Sequence, residues 1–257
     1  IYQLTGDGTG AFHNTVDNWT LLAASPAGNS LLDTGQVGQG DAEKYYKAIV
    51  TGQDYTTVLP AANAVGKVNV FLPKSTGITL MGVPLFDAKA SQGFQPHLKA
   101  GESIQLMPHT GVGQSGLNIG TVTSASFNLP DFDVTPTAGF WLQNTTANTD
   151  LTFTLVGSLI NQTLTKDIAN PDLTSNPIPV AFNTNSTIGE SGDQVLPQSG
   201  TSSGLNVFNK TTTGWPSGDN GFSSLRLNQG FWFYPKNPGL QRWNVNGVDV
   251  TAKIELK

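Results

Sequence analysis

The residues of this chain best suited to chemistry with a partner are two tryptophans and a tyrosine. Trp141, Trp232 and Tyr234 lie in two closely similar segments, Gly139-Phe-Trp-Leu-Gln-Asn144 and Gly230-Phe-Trp-Phe-Tyr-Pro235. Rings placed this way can stack on sugars or offer an apolar patch to a neighbouring subunit. Packing between modules is preferred to either, because tryptophan is usually deeply buried. Other site types are thinly supplied. His13, His97 and His109 are scattered in Gly- or Pro-containing stretches with no His-x-His or His-x-x-x-His spacing, so no metal site is expected from them. Asp131-Phe-Asp133 puts two acids on one strand face, but the chain's four glutamates, Glu43, Glu102, Glu190 and Glu255, do not form an obvious acid/base pair. Asp7, Asp193, Asp219 and Asn220 sit in Gly-rich turns and could offer oxygen to calcium. Ordinary turn chemistry accounts for them without an ion. No catalytic residue, metal or cofactor is expected.

Composition narrows the partners. Charged residues are only 12% of the chain and apolar ones 37%, with Gly, Thr, Asn and Ser filling the rest. Such a chain is too apolar for disorder and too poor in Lys and Glu for helices, so an all-β protein is expected. The net charge is −5, and the two arginines, Arg226 and Arg242, belong to no basic cluster. Nucleic acid would find no phosphate-neutralising surface. No apolar run reaches the length of a membrane span. The absence of cysteine removes disulfides and thiolate chemistry. A first residue Ile1 rather than Met is read as the mark of a removed leader, which places the protein outside the cell or at its surface. Five Asn-x-Ser/Thr sequons, at Asn18, Asn144, Asn161, Asn185 and Asn209, read mostly as chance in so Asn- and Thr-rich a chain.

The elements that must carry the aromatic residues repeat. Gly101, Gly116, Gly139 and Gly157 recur as Gly192, Gly204, Gly230 and Gly247, each in a similar local sequence and at a nearly constant spacing. This predicts tandem β-sandwich or barrel-like modules, the last two an internal duplication. The expected division is an N-terminal β-rich segment at 1–75, a first module at 76–165, and a linker with the second module and a C-terminal strand at 166–257. The modules are read as opening with Ile78–Leu85 and Ile178–Phe182, and Ala169–Pro177 reads as a linker or a long crossover. In the first segment, Val16–Ala24 reads as a strand, Tyr45–Val50 and Tyr55–Leu59 as a hairpin, and Val68–Leu72 as a strand. Alternation puts Phe140, Leu142, Phe231 and Phe233 on a core face, with Trp141, Trp232 and Tyr234 on the other.

Pro136-Thr-Ala-Gly-Phe140 with Leu155-Val-Gly157, and Leu227-Asn-Gln-Gly-Phe231 with Val245-Asn-Gly247, resemble the repeated pattern of a group of exported bacterial β-repeat proteins of the verrucomicrobial type. The similarity covers roughly residues 76–250. It implies export and a β-rich fold, and it transfers no catalytic residue.

The expectation is a secreted, non-enzymatic structural protein that forms a homo-oligomer or filament at the bacterial surface. Ile1, Tyr2 and Leu4 at one end, and Val248, Val250, Ile254 and Leu256 at the other, lie in strand-like sequence that could pair with a neighbour's sheet. The alternative is a carbohydrate-binding module or adhesin that takes a surface glycan on Trp141, Trp232 and Tyr234.

Overall fold

The structure, a computed structural model, describes residues 2–5, 20–21, 43–47, 50–51, 58–59, 65–74, 78–82, 88–89, 93–109, 116–128, 133–134, 136–158, 163–168, 171–175, 186–187, 189–198, 204–215, 229–237 and 241–245. The protein is all-β. Its N-terminal part supplies β1 (Tyr2–Thr5), β2 (Thr20–Leu21), β3 (Glu43–Lys47), β4 (Val50–Thr51) and β5 (Val58–Leu59). A first half follows: β6 (Val65–Leu72), β7 (Ile78–Met81), β8 (Ala88–Lys89), β9 (Ser103–Pro108), β10 (Gly120–Thr123), β11 (Asp133–Val134), β12 (Phe140–Asn144) and β13 (Leu151–Ser158). The second half holds β14 (Leu164–Ile168), β15 (Asp172–Ser175), β16 (Ser186–Thr187), β17 (Gln194–Pro197), β18 (Phe208–Asn209), β19 (Gly230–Tyr234) and β20 (Gln241–Val245). No helix among the described residues is long and apolar enough to cross a membrane.

Each half centres on a four-stranded antiparallel sheet. The orders are β10-β9-β12-β7 and β18-β17-β19-β15. The registers correspond as well: Phe140 faces Pro108 and Leu142 faces Leu106, while Phe231 faces Pro197 and Phe233 faces Val195. A flanking pair follows the same plan, with β13 against β6 and β20 against β14.

The β6–β13 ladder crosses the boundary expected at residue 75. β6 belongs to the supposed N-terminal segment, yet eight residues of it pair with the closing strand of the first half. The same sheet continues through β3, β1 and β2. The expected linker is also a strand. All four residues of β15 are buried and pair with β19. Asn and Pro flank it and supply turn signals, but burial under the other half overrides them. Residues 178–182, read as the opening strand of the second module, lie outside the described residues. The hairpin expected at 45–59 is narrower, with β4 facing β5, while β3 joins the large sheet. Of the strand read at Val16–Ala24, only Thr20–Leu21 falls among the described residues.

Alternation along β12 and β13 builds the first core. Phe140, Leu142, Leu151, Phe153 and Leu155 meet Val70, Leu72, Leu106, Val122 and Ile104 in one cluster. A 3-10 turn at Gln95–His97 lays the preceding Phe94 edge-on against Phe140 and Phe153, both at 5.8 Å between ring centroids. Asn144 closes this end. Its buried amide donates to the carbonyls of Leu72, Pro73 and Thr149, and its oxygen accepts from Thr146 N–H. At 1% exposure its sequon is closed to a glycosylating enzyme in the folded chain.

Candidate functional site at the junction of the two sheets

The opposite faces of β12 and β19 turn towards each other. Trp141 and Trp232, each 7% exposed, join Leu80, Met107 and Leu173 in a second core. Ile78, Leu117, Leu196, Leu205 and Tyr234 pack around it. The aromatic face read from the sequence therefore lies between the two sheets. Tyr234, half-buried, sits 6.1 Å from Trp232 at the rim.

The edge strands β7 and β15 of the two sheets interlock across this junction. Met81 of β7 bridges Gln229, just before β19, and Thr174 of β15 bridges Ala138, just before β12. The approach explains the repeated glycine of Gly-Phe-Trp. A Cβ on Gly139 would lie 2.7 Å from Thr174 N, and one on Gly230 would lie 2.8 Å from Met81 N. A glycine inside a strand often marks such a backbone-to-backbone contact.

Pro108 and Pro197 occupy the same place in the two registers, so the residues after them correspond: His109 and Gln198. Both bridge the repeated Ser-Gly-Leu-Asn element, His109 to Leu117 and Gln198 to Leu205. Their side chains do different work. Gln198 reaches the edge of β7, donating from Nε2 to Ile78 O and accepting from Leu80 N–H at Oε1, each at 2.7 Å. One amide thus satisfies two backbone groups of that edge.

His109 instead faces β15. Its Nδ1 lies 3.6 Å from Asp172 Oδ1, and its ring meets Trp232 edge-on at 5.3 Å. The other oxygen, Asp172 Oδ2, is 3.4 Å from Lys166 Nζ. Lys166 Nζ also donates to Leu173 O at 3.1 Å and to Thr137 O at 3.4 Å. Side-chain exposures are 8% for His109, 5% for Asp172 and 19% for Lys166. Burial pushes the Lys166 amine below its ordinary value, against the opposing pull of the Asp172 charge. Burial also lowers His109; Asp172 raises it, and Lys166 lowers it further. Among the described residues, Asp172 Oδ2 is a buried side-chain oxygen that accepts no hydrogen bond.

The other residues singled out in the sequence have plain roles. Asp193 is fully buried, and its carboxylate accepts the Lys236 and Glu190 amides. Its oxygens hold a turn, the chemistry preferred for it from the sequence. Glu102 accepts Lys99 N–H at the matching turn, where Gly101 and Gly192 both take positive φ. Asp133 lies in β11 opposite Lys89. His97 stands in the exposed 3-10 turn near Phe153. No group of three or more His, Asp or Glu that could hold a metal forms among the described residues. β1, with Tyr2 and Leu4, is flanked by β3 on one side and β2 on the other. Ile1, His13, Asp7, Asp131, Asp219, Asn220, Val248, Val250, Ile254 and Leu256 lie outside the described residues.

Sequence reasoning missed the Lys166–Asp172–His109 cluster. A signal existed in Leu164-Thr-Lys-Asp-Ile168, where a lysine interrupts the inward alternation between Leu164 and Ile168. Gly200-Thr-Ser-Ser-Gly204 also escaped notice. It has the spacing of a serine-nucleophile elbow, but falls between strands β17 and β18 instead of leading from strand to helix.

No family model matches the sequence, and no curated protein matches it. Among solved structures, one similarity is to a conserved protein of unknown function from Pseudomonas aeruginosa PAO1. It has 9% identity over 82% of this chain and 86% of that one, with a TM-score of 0.16.

Proposed function

We propose that the chain is a secreted, non-enzymatic structural protein whose two halves are copies of one β-module and which assembles at the bacterial surface. The observation that carries this reading is the fate of the aromatic face. Trp141 and Trp232 are used to bind one sheet to the other in a shared buried cluster. A glycan platform would need those ring faces in solvent. The matching strand orders support the duplication. The resemblance to exported β-repeat proteins and the weakly charged, Thr- and Asn-rich composition support a place outside the cell.

Assembly by strand exchange remains open to β1 in a specific form. Because β1 fills a slot between β2 and β3, a neighbour's β1 filling the same slot would reproduce the same ladder. Electron microscopy and light scattering of the purified full chain test the proposal. Filaments or ordered arrays are expected, and a monodisperse monomer across a wide concentration range would sink it.

A further inference from the structure

Register shows what is unusual about the buried cluster. Lys166 pairs with Trp243 two residues into the β14–β20 ladder, where the first half pairs Val70 with Phe153. Asp172 faces Phe233 where Thr79 faces Leu142, and His109 stands where Gln198 does. At each of these three positions one half carries an apolar or neutral residue and the other an ionisable one: Lys166 and Asp172 in the second half, His109 in the first. They converge on one buried spot. An ion pair withdrawn from water is weak evidence for stability, and its unsatisfied Oδ2 adds to the cost.

We propose that Lys166 and Asp172 condense into an intramolecular amide, an isopeptide bond, with His109 as the proton-transfer group. The amine is docked for this: Nζ donates to the carbonyl of Leu173, the residue next to Asp172, and lies 3.4 Å from Oδ2. Holding amine and carboxylate in contact makes their encounter intramolecular and removes its entropic cost. Burial favours the neutral amine, the nucleophilic form.

The step balances without a cofactor. A proton passes from the ammonium to the carboxylate, giving amine and acid. Nζ attacks Cγ, and the Nζ–Cγ bond forms. His109, on the Oδ1 side, takes a proton from the attacking nitrogen and delivers it to the departing oxygen. The Cγ–Oδ1 bond breaks and one water leaves. Two buried charges disappear, and β14 becomes tied to β15 in a chain that has no cysteine to do so.

Intact-mass spectrometry of the denatured full chain tests this. The expected mass is one water below that of the sequence, while Lys166→Met carries the full mass of its own sequence. Trypsin should fail to cut after Lys166. Cleavage on the N-terminal side of Asp167 should leave two fragments still joined. A wild-type chain of full mass that trypsin cuts after Lys166 overturns the proposal. His109→Gln imports the residue of the matching position and should fold, as circular dichroism would record, yet accumulate the unlinked mass. Full linkage in that variant overturns the role given to His109.

Discussion

Single side chains decide whether the two sheets hold together. Trp141→Ala or Trp232→Ala should each cost about 3–5 kcal/mol in urea denaturation, since each removes a buried indole from the second core. If either change left stability intact, the ring would not be core. Gly139→Ala and Gly230→Ala should each destabilise by about 1–3 kcal/mol, because the added methyl meets the opposing strand's backbone, which cannot swing away. Gln198→Ala leaves Leu80 N–H and Ile78 O without their partner, at a cost of about 1–3 kcal/mol if they stay buried. The tryptophans could be read from sequence because they repeat and alternate. Of the Lys166–Asp172–His109 cluster only the misplaced lysine was visible, since its members come from β14, β15 and the residue after β9 and meet only through the register of folded sheets.

Strands were legible where local pattern and final burial agree. β13 alternates Leu151, Phe153 and Leu155, and all three are buried as the pattern requires. β12 was legible on both faces, and its aromatic side packs against the other half, the reading preferred from the sequence. β15 is the opposite case. Asp172-Leu-Thr-Ser175 has one apolar residue and turn-forming neighbours, so nothing local marks it as a strand. Its hydroxyls are satisfied across the junction, Thr174 by Thr137 O at 2.7 Å and Ser175 by Pro136 O and Ala138 O. A strand that owes its burial to a partner cannot announce itself in its own composition. At the end of β12, Asn144→Ala should cost about 1–3 kcal/mol, measured by thermal melting, by freeing the carbonyls of Leu72, Pro73 and Thr149.

Acid should loosen the molecule as a whole. His97 and His109 are both held below the ordinary value of 6.5 in the folded chain. The unfolded chain therefore takes up those protons first. Their contribution is fully present above that value and is lost as pH falls from it through the lower folded values. Thermal melts between neutral and mildly acidic pH should show this decline, and His109→Gln should flatten it.

The interlock of β7 and β15 gives each half a docking key for the other. Cut in the stretch between β13 and β14, the gene would yield two fragments, each displaying an indole-bearing face and an unfinished strand end. Neither should stay soluble alone, for each exposes a contiguous apolar patch. Co-expressed, they should recover one another by complementation and co-purify on a tag carried by one, a pairing that Gly139→Ala in the first fragment or Gly230→Ala in the second should weaken.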